Sequence, residues 1–197
     1  MKQEIIDFIN QHEDLIDNDE WKNVYTFAQT ELLTSEIGQL TFYLLDANIH
    51  PEDYLTELTE DFLAMSDIKE FTIPDSITLI GNDAFRDCKN LMSITIPKGV
   101  TYIGERVFFD CSSLTSITIP DSVTNIGEWA FYRCTSLTTV IIRNPEIEIT
   151  ADAFVGCQKL AIQFNGTMEQ WKTVAYRKFR NALYTCTCID GVIKKKR

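Results

Sequence analysis

The chain has 197 residues, of which 45% are hydrophobic and 24% are charged. This globular composition excludes wholesale disorder and fits one domain or two small ones. The formal net charge of −11 argues against direct DNA binding. No apolar run approaches the roughly 20 residues that a membrane-spanning helix needs, so we expect no membrane partner.

Charge is distributed unevenly along the chain. Residues 1–68 hold 16 acidic and two basic residues, whereas residues 69–197 hold 13 acidic and 16 basic ones. Such asymmetry typically marks a domain boundary. We therefore predict an acidic domain over 1–68, a second domain over 69–164 and a basic C-terminal cap and tail over 165–197.

The acidic domain is predicted to be helical. Asp17 and Glu20 have the spacing of a capping box. Pro51 suits the first turn of a further helix that would carry Leu55 and Leu58 on one face. We predict three to five short helices, which either cap the open end of a repeat array or bind a partner through their acidic surface.

A period of 23 residues governs the chain from Ile73 onward. Each repeat has Phe, Cys and Leu at the same three positions. The series are Phe85, Phe108, Phe131 and Phe154; Cys88, Cys111, Cys134 and Cys157; and Leu91, Leu114, Leu137 and Leu160. A strict period of this length over four repeats predicts the stacked coils of a solenoid, with one column of phenylalanine rings and one row of thiols.

Each repeat contains one strand pattern. The spacing of Leu91, Ile94 and Ile96 is that of a leucine-rich repeat strand, L-x-x-L-x-L. Because side chains alternate along a strand, these three residues should point inward, whereas Ser93 and Thr95 should face solvent.

The full pattern resembles the BspA-like leucine-rich repeats over residues 71–164. Their signature, I-P-x-S-V-x-x-I-G-x-x-A-F-x-x-C-x-x-L-x-x-I-x-I-P, is matched almost residue for residue from Ile119 onward. The resemblance implies a solenoid used for protein recognition, often adhesive and on microbial surfaces. We predict an α+β fold: a leucine-rich repeat β-solenoid of about four coils, between an N-terminal helical domain and a short C-terminal helix.

The C-terminal region departs from the repeat. Arg143 and Thr150 replace the proline and glycine of the fourth coil, which indicates that the array is ending. Residues 168–179 are predicted to form a basic helix. The last four residues, 194–197, are interpreted as a solvated basic tail, or as a segment that pairs with an anionic partner or with the acidic domain.

The chemistry-bearing residues favour no enzyme. His12 and His50 lie in no catalytic arrangement that we recognise, and no glycine-rich phosphate loop is present. The six cysteines could form disulfides, bind zinc or pack as buried thiols. One thiol per coil does not have the paired spacing of a zinc site, so we expect reduced buried thiols, with no metal and no cofactor.

Two surfaces are candidate binding sites. The first, which we call the Ser/Thr ledge, consists of outward strand positions and is either a solubilising face or a recognition face. Its members are Thr72, Ser93, Thr95, Ser116, Thr118, Thr139 and Ile141. The second, the aromatic corner, comprises Phe109, Trp129 and Tyr132, which occupy slots that hold charged residues in other coils. These rings should be partly exposed and form a protein interface, or else pack on the flanking helices.

We predict a non-catalytic protein-interaction module of a bacterium or bacteriophage. A second hypothesis is an inhibitor whose acidic domain mimics a phosphate backbone and occupies a basic nucleic-acid-binding enzyme. A third is an adhesin-like surface protein. Because the first residues lack the basic start and apolar run of a secretory signal, we expect a cytoplasmic location.

Overall fold

The computed structural model describes residues 57–58, 60, 62–73, 75–150, 152–175 and 183–195. The helices predicted within residues 1–56 lie outside these residues. Leu58, predicted to lie on a helix after Pro51, instead occupies a buried strand position, so that part of the helix prediction is wrong. No helix among the described residues is long and apolar enough to span a membrane.

The described residues form short strands and one helix. In chain order these are β1 (Glu57–Leu58), β2 (Glu70–Thr72), β3 (Leu79–Ile80), β4 (Ser93–Thr95), β5 (Tyr102–Ile103), β6 (Ser116–Ile119), β7 (Asn125–Ile126), β8 (Thr139–Ile142), β9 (Glu148–Ile149), β10 (Lys159–Phe164), α1 (Met168–Ala175), β11 (Leu183–Cys188) and β12 (Gly191–Lys195).

Two sides of each coil are β-structure. The two-residue strands pair in parallel in the order β1-β3-β5-β7-β9, which makes five coils. The longer strands form a sheet in the order β12-β11-β10-β8-β6, and β2 and β4 pair separately beside it. The predicted solenoid is thus confirmed, and its strand pairing extends beyond residues 69–164 at both ends.

The third side of each coil is a tight corner. In the corner of one coil, Asp83 and Asp87 both have positive φ angles, 57° and 58°. The backbone N–H of Phe85 donates to the carbonyl of Val107 in the following coil, 2.9 Å away. Because these bonds run from coil to coil, backbone N–H and C=O groups of the corner are hydrogen-bonded to the neighbouring coil, as those of the parallel sheets are.

The interior contains the predicted phenylalanine column. Phe85, Phe108, Phe131 and Phe154 stack with centroid distances of 5.4, 5.2 and 5.0 Å. All four side chains are buried. Phe62 extends the column into the first coil, with an edge-on contact to Phe85 at 6.2 Å.

The thiols of the repeat form a second column beside the rings. The Cys134 thiol donates to the Phe108 carbonyl oxygen of the preceding coil at 3.0 Å, and Cys111 and Cys157 repeat the bond at 3.1 and 3.2 Å. Burial raises the pKa of Cys134 well above its ordinary value of 9.0. These cysteines are therefore neutral, buried thiols, as predicted.

Helix α1 interrupts the repeat between β10 and β11. Thr167 and Gln170 form a reciprocal capping box at its start: the Gln170 N–H donates to Thr167 Oγ1 at 3.2 Å, and the Thr167 N–H donates to Gln170 Oε1 at 2.9 Å. Trp171 is buried against Phe164, 5.1 Å between ring centroids. The predicted helix is confirmed over Met168–Ala175.

Strand β12 closes the longer sheet. It pairs antiparallel with β11, so that Lys194 lies opposite Thr185. The interpretation of residues 194–197 as a solvated tail is therefore wrong for Lys194 and Lys195, whose backbone belongs to this strand, although the Lys194 side chain is exposed.

Candidate protein-interaction surfaces

The Ser/Thr ledge is assembled by strand register. Thr72 lies beside Thr95, Ser116 beside Thr139, and Thr118 beside Ile141. All seven predicted members are exposed or half-buried, because the alternate residues of these strands point into the core. The structure therefore brings these residues onto one face; whether that face binds a partner stays a prediction.

The ledge continues past its predicted end. Ala161 and Gln163 lie beside Thr139 and Ile141, and Thr185 and Thr187 lie beside Ala161 and Gln163 in turn. Ala161 and Gln163 escape the strict period because they lie 22 rather than 23 residues after their partners in β8. Thr185 and Thr187 escape it because α1 separates β10 from β11. An extended stretch with alternating threonines, 185–187, was the one available signal.

The aromatic corner joins two neighbouring coils. Phe109 stacks on Tyr132 with 4.9 Å between ring centroids and 14° between ring planes. Trp129 has a φ of 55°, and its carbonyl accepts a hydrogen bond from the Tyr132 N–H at 2.9 Å. All three side chains are half-buried, as expected of slots that hold charge elsewhere.

A cation borders the aromatic corner. The guanidinium carbon of Arg133 lies 5.6 Å from the centre of the Tyr132 ring, within the range of a cation–π contact. Arg133 is itself exposed. The corner therefore presents stacked rings with a positive edge, an arrangement typical of protein interfaces, where Tyr, Trp and Arg are enriched.

In the preceding coils the slot of Trp129 holds the two members of a partly buried ion pair. Asp83 is only 3% exposed, and Arg106 one coil later donates to both of its carboxylate oxygens, at 3.1 Å through Nε and at 3.1 Å through Nη2. These bonds to Asp83 raise the pKa of Arg106. This pair links two coils and has a structural role, in contrast to the half-exposed rings of the next coil.

A cleft of about 570 Å³ lies between β9 and α1. Its two carboxylates already have hydrogen-bond donors. Glu146 accepts a hydrogen bond from the Gln170 side chain at 2.9 Å, and Glu148 accepts one from the Asn125 side chain at 3.2 Å. Among the described residues, no cluster of three or more His, Cys, Asp or Glu side chains could hold a metal ion.

Three-sided coils with an inward L-x-x-I-x-I strand define a leucine-rich repeat solenoid. Residues 56–183 match the BspA type leucine rich repeat region in six copies, which covers nearly two thirds of the chain. The chain belongs to this family. No curated protein matches it.

Several solved bacterial proteins are similar to the chain. A leucine rich repeat protein of T. pallidum is 26% identical, with a TM-score of 0.51 over 54% of this chain and 52% of that one. One from Eubacterium ventriosum is 29% identical, with a TM-score of 0.46 over 56% and 30%. The pneumococcal vaccine antigen PcpA, at 18% identity, shares the fold with a TM-score of 0.51 over 72% and 40%. The chain thus spans about half or less of the length of these proteins.

Proposed function

We propose that the chain is a non-catalytic module that binds a partner protein through its aromatic corner. The observation that carries the proposal is the half-exposed stack of Phe109 on Tyr132, bordered by Arg133. Membership of a leucine-rich repeat family supports it, because such solenoids typically serve as rigid scaffolds for interaction.

Rigidity supports the same proposal. The corner backbone is held by bonds between coils, such as that from the Asp110 N–H to the Tyr132 carbonyl at 2.8 Å, and the neighbouring residue Phe131 is fully buried. Rings that are already ordered lose little conformational freedom on binding, so more of their contact energy remains as affinity.

The test combines capture with matched variants. The full chain, immobilised, is exposed to lysate of its source organism, and the retained protein is identified and purified. Its affinity is then measured for the wild type, for Phe109→Ala/Tyr132→Ala and for the ledge control Thr95→Ala/Thr118→Ala. We expect the aromatic variant to lose at least about tenfold in affinity, the range of interface hot spots, and the ledge variant to stay within about twofold.

The reverse result would transfer the site to the Ser/Thr ledge. Thermal unfolding of both variants is the control, because a variant that no longer folds would lose its partner without reporting on either surface.

The inhibitor hypothesis rests on a separate observation, the charge of −14 over residues 1–68. An acidic mimic of a phosphate backbone should bind its target with an affinity that falls steeply as salt rises. Capture by the aromatic corner should instead persist between low and high salt. Retention that is abolished by salt but insensitive to Phe109→Ala/Tyr132→Ala would therefore favour the inhibitor.

A further inference from the structure

Two thiols meet at the C-terminal end of the solenoid. Cys186 and Cys188 alternate with Thr187 along β11, so both side chains point into the core. Their sulfur atoms are 3.7 Å apart. Cys186 is fully buried and Cys188 is 7% exposed, and both are free thiols.

A third sulfur lies on the same face of this hairpin. Gly191 is directly opposite Cys188 in the antiparallel pair, so a side chain at 191 would stand next to that of Cys188, with about 5 Å between Cβ atoms. A Cβ built on Gly191 would lie 2.9 Å from Sδ of Met168, the first residue of α1. The Met168 thioether therefore occupies the space that a side chain at position 191, opposite Cys188, would take.

We propose that Cys186, Cys188 and Met168 form a binding site for one monovalent copper ion. Thiolate and thioether sulfur are the ligands that favour this soft cation. Two sulfur atoms each about 2.3 Å from one ion and about 120° apart are about 4.0 Å from one another. The observed 3.7 Å needs only a small adjustment to reach that trigonal arrangement.

Other ions fit this sulfur set less well. A structural zinc site requires four ligands, whereas the two thiols and the Met168 thioether would supply three, and no cluster of three or more His, Cys, Asp or Glu side chains occurs in the described ranges. The surroundings are apolar: Cys186 is flanked by Ile162 on one side and Ile193 on the other. Because the ligands are sulfur atoms, a soft ion suits them better than a hard ion such as Mg²⁺ or Ca²⁺.

The binding step is an exchange of protons for metal. Cys186 and Cys188 are both free thiols, so each sulfur carries one proton before an ion binds. When Cu(I) binds, each S–H bond breaks, its electron pair forms a sulfur–copper bond and the proton leaves to solvent. Copper stays in the monovalent state, and two protons are released per ion.

The cysteines of the repeat provide an internal control. Each of these thiols donates to a backbone carbonyl, as Cys88 does to Leu63 at 3.0 Å and Cys157 to Phe131 at 3.2 Å. In contrast, Cys186 and Cys188 contact one another. Cys88→Ser/Cys157→Ser thus removes two thiols from the chain and leaves the proposed site intact.

The test uses the reduced full chain under anaerobic conditions. Cu(I) is supplied as its complex with a coloured chelator, bathocuproine disulfonate, and the transfer of copper to the protein is read from the loss of colour. We expect one ion per chain, with two protons released per ion in weakly buffered solution. Cys186→Ser/Cys188→Ser should abolish the transfer, Cys88→Ser/Cys157→Ser should not change it, and Met168→Leu should weaken it at least tenfold.

Three results would overturn the proposal: no transfer of copper, equal loss of transfer in both double cysteine variants, or full transfer in Met168→Leu. Far-UV circular dichroism of each variant checks the fold. If Cys186→Ser/Cys188→Ser does not fold, Cys188→Ser alone removes the less buried thiol and must still lower the affinity at least tenfold.

Discussion

The molecule contains two aromatic stacks of nearly the same spacing and opposite setting. Phe108 and Phe131 in the core are 5.2 Å apart, and Phe109 and Tyr132, each the next residue along the chain, are 4.9 Å apart. The core pair is fully buried, whereas the outer pair is half-buried. The same coil-to-coil translation aligns both pairs, so the alignment of two rings does not show whether they stabilise the fold or bind a partner. The exposed fraction of the rings distinguishes the two cases.

The largest expected effect is on the inner stack. Phe108→Ala removes a fully buried ring between two stacked neighbours and leaves a cavity in the core, so the free energy of unfolding should fall by about 3–5 kcal/mol. Urea denaturation measures this change. A loss of less than about 1 kcal/mol would mean that the column does not hold the coils together.

A smaller but still large effect is expected where two coil backbones touch. A Cβ at Gly127 would lie 2.5 Å from the carbonyl carbon of Gly104, and backbone cannot rotate away. Gly127→Ala should therefore cost about 1–3 kcal/mol of unfolding free energy, as overpacked sites do. Gly99→Ala is the matched control, because its Cβ would meet Ile77 O at 3.2 Å, and its smaller loss in the same denaturation experiment would show that close approach is the cause.

The ion pair between coils is the third test. Asp83→Asn keeps a residue type that tolerates positive φ but removes the charge that accepts both bonds from Arg106. Because the Arg106 side chain is 36% exposed, we expect a loss of only about 1–2 kcal/mol in the free energy of unfolding. If Asp83→Asn costs no stability when Arg106 is already replaced by Gln, the loss comes from this ion pair. An equal loss in the Arg106→Gln background would contradict that assignment.

The thiol column predicts a dependence on alkaline pH. Burial raises the pKa of Cys157 from 9.0 to about 12, so the folded state holds the proton more tightly than the unfolded state. The stability that this preference contributes is present below pH 9 and is lost progressively between about pH 9 and 12. Thermal unfolding across that range should show a shallower decline in Cys157→Ser than in the wild type; parallel declines would contradict the prediction.

The smallest effect on stability is expected from the outer stack. Phe109→Ala/Tyr132→Ala removes half-exposed rings and their mutual contact, which should cost about 0.5–1.5 kcal/mol in the free energy of unfolding. The same variant should lose partner affinity. Phe108→Ala should instead lose much stability but keep its partner affinity at temperatures where it remains folded. A destabilisation as large as that of Phe108→Ala would show that the aromatic corner is part of the core.

Sequence reasoning succeeded where a residue type recurs with the period. Phe85, Phe108 and their counterparts predicted the column, because a solenoid repeats its interior in every coil. The first coil was missed, since Met65 replaces the cysteine there and the short strand containing Leu58 is 22 rather than 23 residues from its neighbour at Ile80. A shift of one residue takes the first coil out of the strict 23-residue pattern. The coil still packs on the others, because Phe62 contacts Phe85 in the core.

The sequence by itself determined the family, the coil and the identity of the inward side chains, because these follow from local alternation and from a period that each coil repeats. Only the tertiary structure decided which residues outside the period meet. It continued the ledge through Thr185 and Thr187, and it placed the thioether of Met168 where a side chain at position 191, opposite Cys188, would lie. These contacts join residues on either side of α1, where the 23-residue period is broken, and no local pattern encodes which strands pair there.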